Sequence, residues 1–148
     1  MGRYSAYGQV AAAAVKPMVV LGSDGTVFPE VIGIRIGFSS TPADNQFSCG
    51  LYENTDMGTG GTSVTVKKIG HAGTSGVTAK KGTFSADPTK TGNAMIAMTI
   101  YQRSHSTVFR GYGDGWKPET LAANRGLGNW CDVAGAAMNM ENTLEWIE

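Results

Sequence analysis

The sequence predicts an all-β protein, an antiparallel β-sandwich of about eight strands. Three observations carry that expectation. From Val31 to Ser39, Ile32, Ile34, Ile36 and Phe38 alternate with Gly33, Arg35 and Gly37, the period-2 pattern of a strand with one face on a core. Glycine accounts for 21 of 148 residues, about twice its usual share. Charged residues make up 16%, against about a quarter in an average domain. A lightly charged, glycine-punctuated chain suits short strands and tight turns better than helices.

The nine residues from Val31 to Ser39 span about 30 Å at about 3.3 Å each, enough to cross a small domain as its central strand. Ahead of it, Met18-Val19-Val20-Leu21 reads as a short strand closed by the turn Gly22-Ser23-Asp24-Gly25. Behind it, the turn Thr41 to Asn45 leads into Gln46 to Tyr52, where Phe47, Cys49 and Leu51 share a face. Later strands are expected at Ala94 to Tyr101, Thr107 to Tyr112, Trp130 to Ala134 and Met138 to Ile147. The last places Met140, Leu144 and Trp146 on one side. No helix and no repeat stands out, and the simplest architecture is a jelly roll. The pattern leaves the strand order open.

Two segments stand apart from the body, residues 17–148. Residues 1–16 carry Arg3, Tyr4 and Tyr7 before Ala11-Ala12-Ala13-Ala14, with little that is large to bury. The alanines favour about two helical turns, marginal alone, between Gly8 and Pro17. An arm on a neighbouring molecule, a strand on a sheet edge and a frayed terminus all fit. Residues 53–91 are polar and glycine-rich, with only Val64, Val66 and Ile69 strand-like, and are expected to form a long loop or hairpin projecting from the sandwich. This excursion holds Lys67, Lys68, Lys80, Lys81 and Lys90 against Asp56 and Asp87 after Glu53.

Motifs for chemistry are missing from the pattern. His71 and His105 sit in polar turns with no Cys, His or carboxylate at ligand spacing, which argues against a metal. Ser104 and Ser106 flank His105, but adjacency does not build a catalytic triad, and no Gly-x-Ser-x-Gly elbow is present. Gly58 to Thr62 lacks the Gly-Lys-Ser/Thr ending of a phosphate loop, and Asp56 and Asp114 belong to no Asp-x-Asp ladder. Cys49 and Cys131 are no disulfide framework; Cys49, in phase with Phe47 and Leu51, reads as a buried free thiol, although a bridge between the two stays open. Neither catalysis nor a cofactor is expected.

Twelve basic and twelve acidic residues cancel, which disfavours nucleic acid as a partner. The longest apolar run, Val10 to Val15, is mostly alanine and ends at Lys16, too short for a membrane span or a signal-peptide core. Synthesis and assembly in a cytoplasm are therefore expected. Low charge density favours association between proteins. The lysine-rich excursion and the carboxylate-rich end (Asp132, Glu141, Glu145, Glu148) supply two opposite patches, which either guide assembly or merely solvate two faces. Candidate contact residues are Arg3, Tyr4 and Tyr7 of the first segment, Lys67 and Lys68 of the excursion, and Arg110, Tyr112 and Trp116, whose types are enriched at interface cores.

The start Met1-Gly2-Arg3-Tyr4-Ser5-Ala6-Tyr7, the segment Val31 to Phe38 and the end Leu144-Glu145-Trp146-Ile147-Glu148 resemble small structural proteins of tailed bacteriophages. Within that group the chain is similar to capsid decoration, or cement, proteins. The resemblance implies a β-sandwich subunit, a homotrimer, set on the outer capsid surface by binding the major capsid protein, assembled in the host bacterial cytoplasm and without catalysis. The long excursion departs from that pattern. The rival expectation is a receptor- or glycan-binding sandwich of a tail or fibre, using Tyr112 and Trp116.

Overall fold

The computed structural model describes residues 1–12, 15–39, 41, 43–70, 73–104, 106–111 and 115–148. Among them, the one regular element that is not a strand is the 3-10 turn Gln102–Ser104. Eleven strands follow in order: β1 (Arg3–Ala11), β2 (Lys16–Ser23), β3 (Glu30–Phe38), β4 (Gln46–Asn54), β5 (Thr59–Val64), β6 (Lys67–Ile69), β7 (Val77–Ala86), β8 (Lys90–Tyr101), β9 (Ser106–Arg110), β10 (Gly126–Val133) and β11 (Asn139–Ile147). They form two antiparallel sheets packed as a sandwich, β6-β1-β11-β3-β9 facing β5-β7-β2-β10-β4-β8.

Alternation builds the inner faces. On β11, Met140, Leu144 and Trp146 are buried while Glu141, Thr143 and Glu145 face outward half-buried. On β1, Tyr4, Ala6 and Val10 turn inward in the same way. Phe38 of one sheet meets Phe47 of the other with ring centroids 4.9 Å apart, joining the layers at one end. Gly126 opens β10 where a Cβ would stand 2.0 Å from the Leu21 carbonyl oxygen, so no larger residue fits there. Two amides, Asn129 and Asn142, are fully buried with no hydrogen-bond partner for either polar atom among the described residues. Each such amide costs stability, about 1–3 kcal/mol for an unsatisfied group.

Four expectations change. Of the three readings of segment 1–16, the strand added to a sheet is the one that forms, not the arm or the frayed terminus: β1 lies in the five-stranded sheet beside β11, with the short β6 on its other side. It does bury a large side chain: Tyr4, only 3% exposed, stacks on Trp146 with centroids 5.9 Å apart. Of the alanine run, Ala11 ends the strand and no helix forms among the described residues; Ala13 and Ala14 lie outside them. The excursion 53–91 does not project either. Its β7 pairs with β2, β5 pairs with β7, and β6 pairs with β1, extending both sheets at one end. β5 and β6 are edge strands, which need only one neighbour, and β7 buries only Val77 and Ala79, which is how so polar a stretch joins the sheets. Three more strands than the expected eight result.

The fourth change is local. The strand β3 keeps Ile34, Ile36 and Phe38 on the core, but Ile32 is only half-buried and Val31 takes the inward place. The cause is a bulge: Glu145 pairs with Gly33 and Trp146 with Val31, skipping Ile32. Nor is β3 central; β11 holds the middle of its sheet.

Trp146 is fully buried beneath Tyr4, so Trp146→Ala is expected to cost about 3–5 kcal/mol in urea unfolding, with an unchanged slope.

Candidate interaction surface

The register of the five-stranded sheet decides where the candidate residues fall. Outward positions line up in rows across the strands. One row runs Lys67, Ser5, Glu145, Gly33, Arg110, so Lys67 and Arg110 stand at its two ends. At about 4.8 Å per strand, those ends are about 19 Å apart. The neighbouring row runs Tyr7, Thr143, Arg35, Val108, with Tyr7 51% and Val108 53% exposed at its ends. Gly33 and Gly37 leave the β3 part of this face low. The result is a broad surface with an aromatic, an aliphatic and several cationic side chains at its margins.

Of the candidates, Arg3, Tyr7, Lys67 and Lys68 gather at the β6–β1 edge, and Arg110 and Trp116 at the β9 edge. Tyr4 is withdrawn from any contact role by its burial against Trp146. Trp116 exchanges two backbone hydrogen bonds of 2.9 Å with Val31 and is half-buried beside Phe109 and Arg110. Tyr112 lies outside the described residues, as do His71, His105 and Asp114.

The expected acidic patch is partly tied up on folding. Because β11 runs antiparallel beside β1, carboxylates near the end of the chain find partners within the molecule, some cationic and some neutral. Arg3 Nη2 donates to Glu145 Oε2 at 2.7 Å. Glu141 accepts a hydrogen bond from Tyr7, whose phenol is shifted up by partial burial and then by that carboxylate. Glu148 accepts from Ser75 Oγ, from the Gly76 amide at 3.2 Å and from Trp146 Nε1 at 3.0 Å. On the other sheet, Lys90 Nζ reaches Asp132 Oδ1 at 2.9 Å, and Lys16 reaches Asp87 at 2.5 Å. Lys67, Lys68, Lys80, Arg35 and Arg110 form no ion pair with another described residue. Such exposed pairs add little stability, about 0–1 kcal/mol each; they neutralise Glu145 and Asp132, while Glu141 and Glu148 face neutral donors.

Sequence spacing gave no sign of one further cluster, on the outer face of the six-stranded sheet. Lys90 Nζ sits 4.1 Å from the Tyr52 ring centroid and 5.0 Å from that of Trp130. The Tyr52 hydroxyl donates to Asp132 Oδ2 at 2.8 Å, and partial burial with this carboxylate pushes its pKa up to about 12. These residues come from β8, β4 and β10, so only the cross-strand register brings them together. The chain's own ammonium occupies the aromatic faces, and the cluster ties β8 to its sheet. Glu53, also buried, accepts the amides of Glu119 and Thr120 at 3.2 and 3.3 Å and Arg125 Nη1 at 3.3 Å, pinning the loop ahead of β10.

Among the described residues, no three His, Cys, Asp or Glu side chains converge as a metal site. Compared with protein-family models and with curated protein sequences, the chain matches none.

Three carboxylates are held below their usual range, which predicts a loss of stability in acid. Asp24 is held below the usual range by the amides of Val27 and Thr26 and by the Thr26 hydroxyl. Glu30 is lowered by its hydrogen bond from Lys117, against some burial. Asp56 is raised by burial but lowered more by hydrogen bonds from Gly58, Thr89 and Thr55. Each folded pKa lies below the unfolded value, so each contribution is present above about pH 4 and fades as the pH falls through the folded pKa. Asp24→Asn is expected to lower the melting temperature at pH 7 and to narrow the gap in melting temperature between pH 7 and pH 3.

Proposed function

We propose that the protein is a non-catalytic virion protein, a bacteriophage capsid decoration or cement subunit that binds the outer shell of major capsid protein. The observation that carries this reading is the outer face of the five-stranded sheet. Tyr7, Val108, Arg110 and Lys67 stand exposed around low glycine positions there, a broad surface suited to another protein rather than a cleft suited to a small molecule. The Arg3–Glu145 pair supports it, because a charge that is already paired costs less to bury against a neighbour.

The mechanism is mass action. A subunit that binds assembled shell better than free capsid protein shifts the balance toward shell. A homotrimer would present three such faces and turn weak contacts into firm attachment. Assembly in the host cytoplasm and a place on the outer capsid surface follow from this reading.

We also infer that the framework follows the jelly-roll path. With β5, β6 and β7 set aside, eight strands remain, and their order is first, eighth, third, sixth in one sheet and second, seventh, fourth, fifth in the other. Two nested Greek keys produce this order. The rival reading, a glycan-binding tail or fibre sandwich, rests on Tyr112, which lies outside the described residues, and on Trp116, half-buried and tied to Val31 by two backbone hydrogen bonds; the aromatic faces of Tyr52 and Trp130 are covered by Lys90.

Counting this chain against major capsid protein in purified particles tests the reading. Hundreds of copies per particle are expected; a handful would point to a tail or connector, and none would overturn a virion role. Arg110→Glu is expected to weaken attachment to shells by about tenfold or more while leaving the unfolding transition unchanged.

A further inference from the structure

Cys49 and Cys131 are 82 positions apart in the chain, yet they stand directly opposite one another on β4 and β10. Both side chains belong to the core between the sheets, with 1% and 0% of their surfaces exposed, and both are free thiols. Directly opposed residues of an antiparallel pair have Cα atoms about 4.5–5.5 Å apart, within the range of about 4.4–6.8 Å that a disulfide spans. The chain has no other cysteine to compete for either one.

We propose that Cys49 and Cys131 form a built-in oxidation site, which closes an intramolecular cross-strand disulfide when the folded chain meets a peroxide. The two sulfurs have different roles. The strand ladder slips on both sides of Cys131, so local opening exposes it first; it is the attacking sulfur and Cys49 the resolving one. The neighbouring sulfur holds Cys131 down against burial and raises Cys49, in the same sense.

In the first step the Cys131 thiolate attacks one peroxide oxygen, the O–O bond breaks, and the departing hydroxide leaves as water with the thiol's proton. Cys131 becomes a sulfenic acid. In the second step the Cys49 sulfur attacks the Cys131 sulfur, the S–S bond forms and the S–O bond breaks. The departing hydroxide takes the Cys49 proton as a second water. In sum, two thiols lose two electrons to one peroxide molecule and yield a disulfide and two waters.

Access for so small an oxidant is helped by the ladder around Cys131. The register of β10 slips between Asn129 and Trp130 on the β2 side and between Cys131 and Val133 on the β4 side. Local opening is favoured where pairing is irregular. Once closed, the bond ties β4 to β10 around a loop that contains β5 to β9, which restricts the unfolded chain and raises stability.

The test uses the full chain and hydrogen peroxide at a few equivalents, followed by thiol titration under denaturing conditions and by intact mass. Both thiols are expected to disappear together, with a mass lower by two hydrogens and no intermolecular cross-link on a non-reducing denaturing gel. The melting temperature is expected to rise, and dithiothreitol to reverse every change. In Cys49→Ser the reaction is expected to stop at a sulfenic acid on Cys131, trapped by dimedone; if that variant fails to fold, the wild-type thiol count and mass decide alone. Two thiols still titrating, the loss of one without the other, or a disulfide-linked dimer would overturn the proposal.

Discussion

The pairing of the first strand with the last is the interaction on which the rest of the molecule depends. β1 and β11 match residue for residue from Arg3–Ile147 to Ala11–Asn139, and the chain ends are clasped by reciprocal backbone hydrogen bonds between Gly2 and Glu148 of 3.1 and 3.0 Å. That pairing lays Tyr4 over Trp146 and seals the core at one end of the sandwich. It also sets β11 between β1 and β3, so a single strand joins the two halves of its sheet. Contacts between residues so distant in sequence carry a large loop-closure cost, and burial of two aromatic rings against each other helps to offset it.

The same pairing shapes the surface. With β11 beside β1, Glu145 meets Arg3 and Glu141 meets Tyr7, and the acids that look like a tail in the sequence become partners within the sheet. What remains outside is a face on which Glu145 is paired with Arg3 and Glu141 with Tyr7, with cations at its two edges. The surface available to a partner is thus a consequence of register, not of composition alone.

Much of the fold was legible where one strand buries large side chains on alternate positions. Phe47, Cys49 and Leu51 on β4, and Met140, Leu144 and Trp146 on β11, all turn to the core as their spacing predicts. β1 escaped because Ala6, Gly8 and Val10 are small, and its burial depends on Trp146 at the far end of the chain. Ile32 misled because a bulge changes the phase of β3, and that bulge is set by the partner strand rather than by β3 itself. β5 and β6 escaped because edge strands bury little, and β7 because among its ten residues only Val77 and Ala79 are buried; Gly60 and Gly61, at φ +74° and +73°, read as loop while serving as irregular strand. For the surface, residue type alone picked out Lys67 and Arg110, but only the cross-strand register puts them on one row. The clustering of Tyr52, Lys90, Trp130 and Asp132 was invisible for the same reason.

Native-state hydrogen exchange of the β1 amides tests the central claim most directly. If β1 is an integral strand clasped by β11, the protected amides of both strands exchange only through global unfolding, with the same free energy and the same dependence on denaturant. Exchange of the β1 amides by local fraying, while β11 and β3 stay protected, would contradict it.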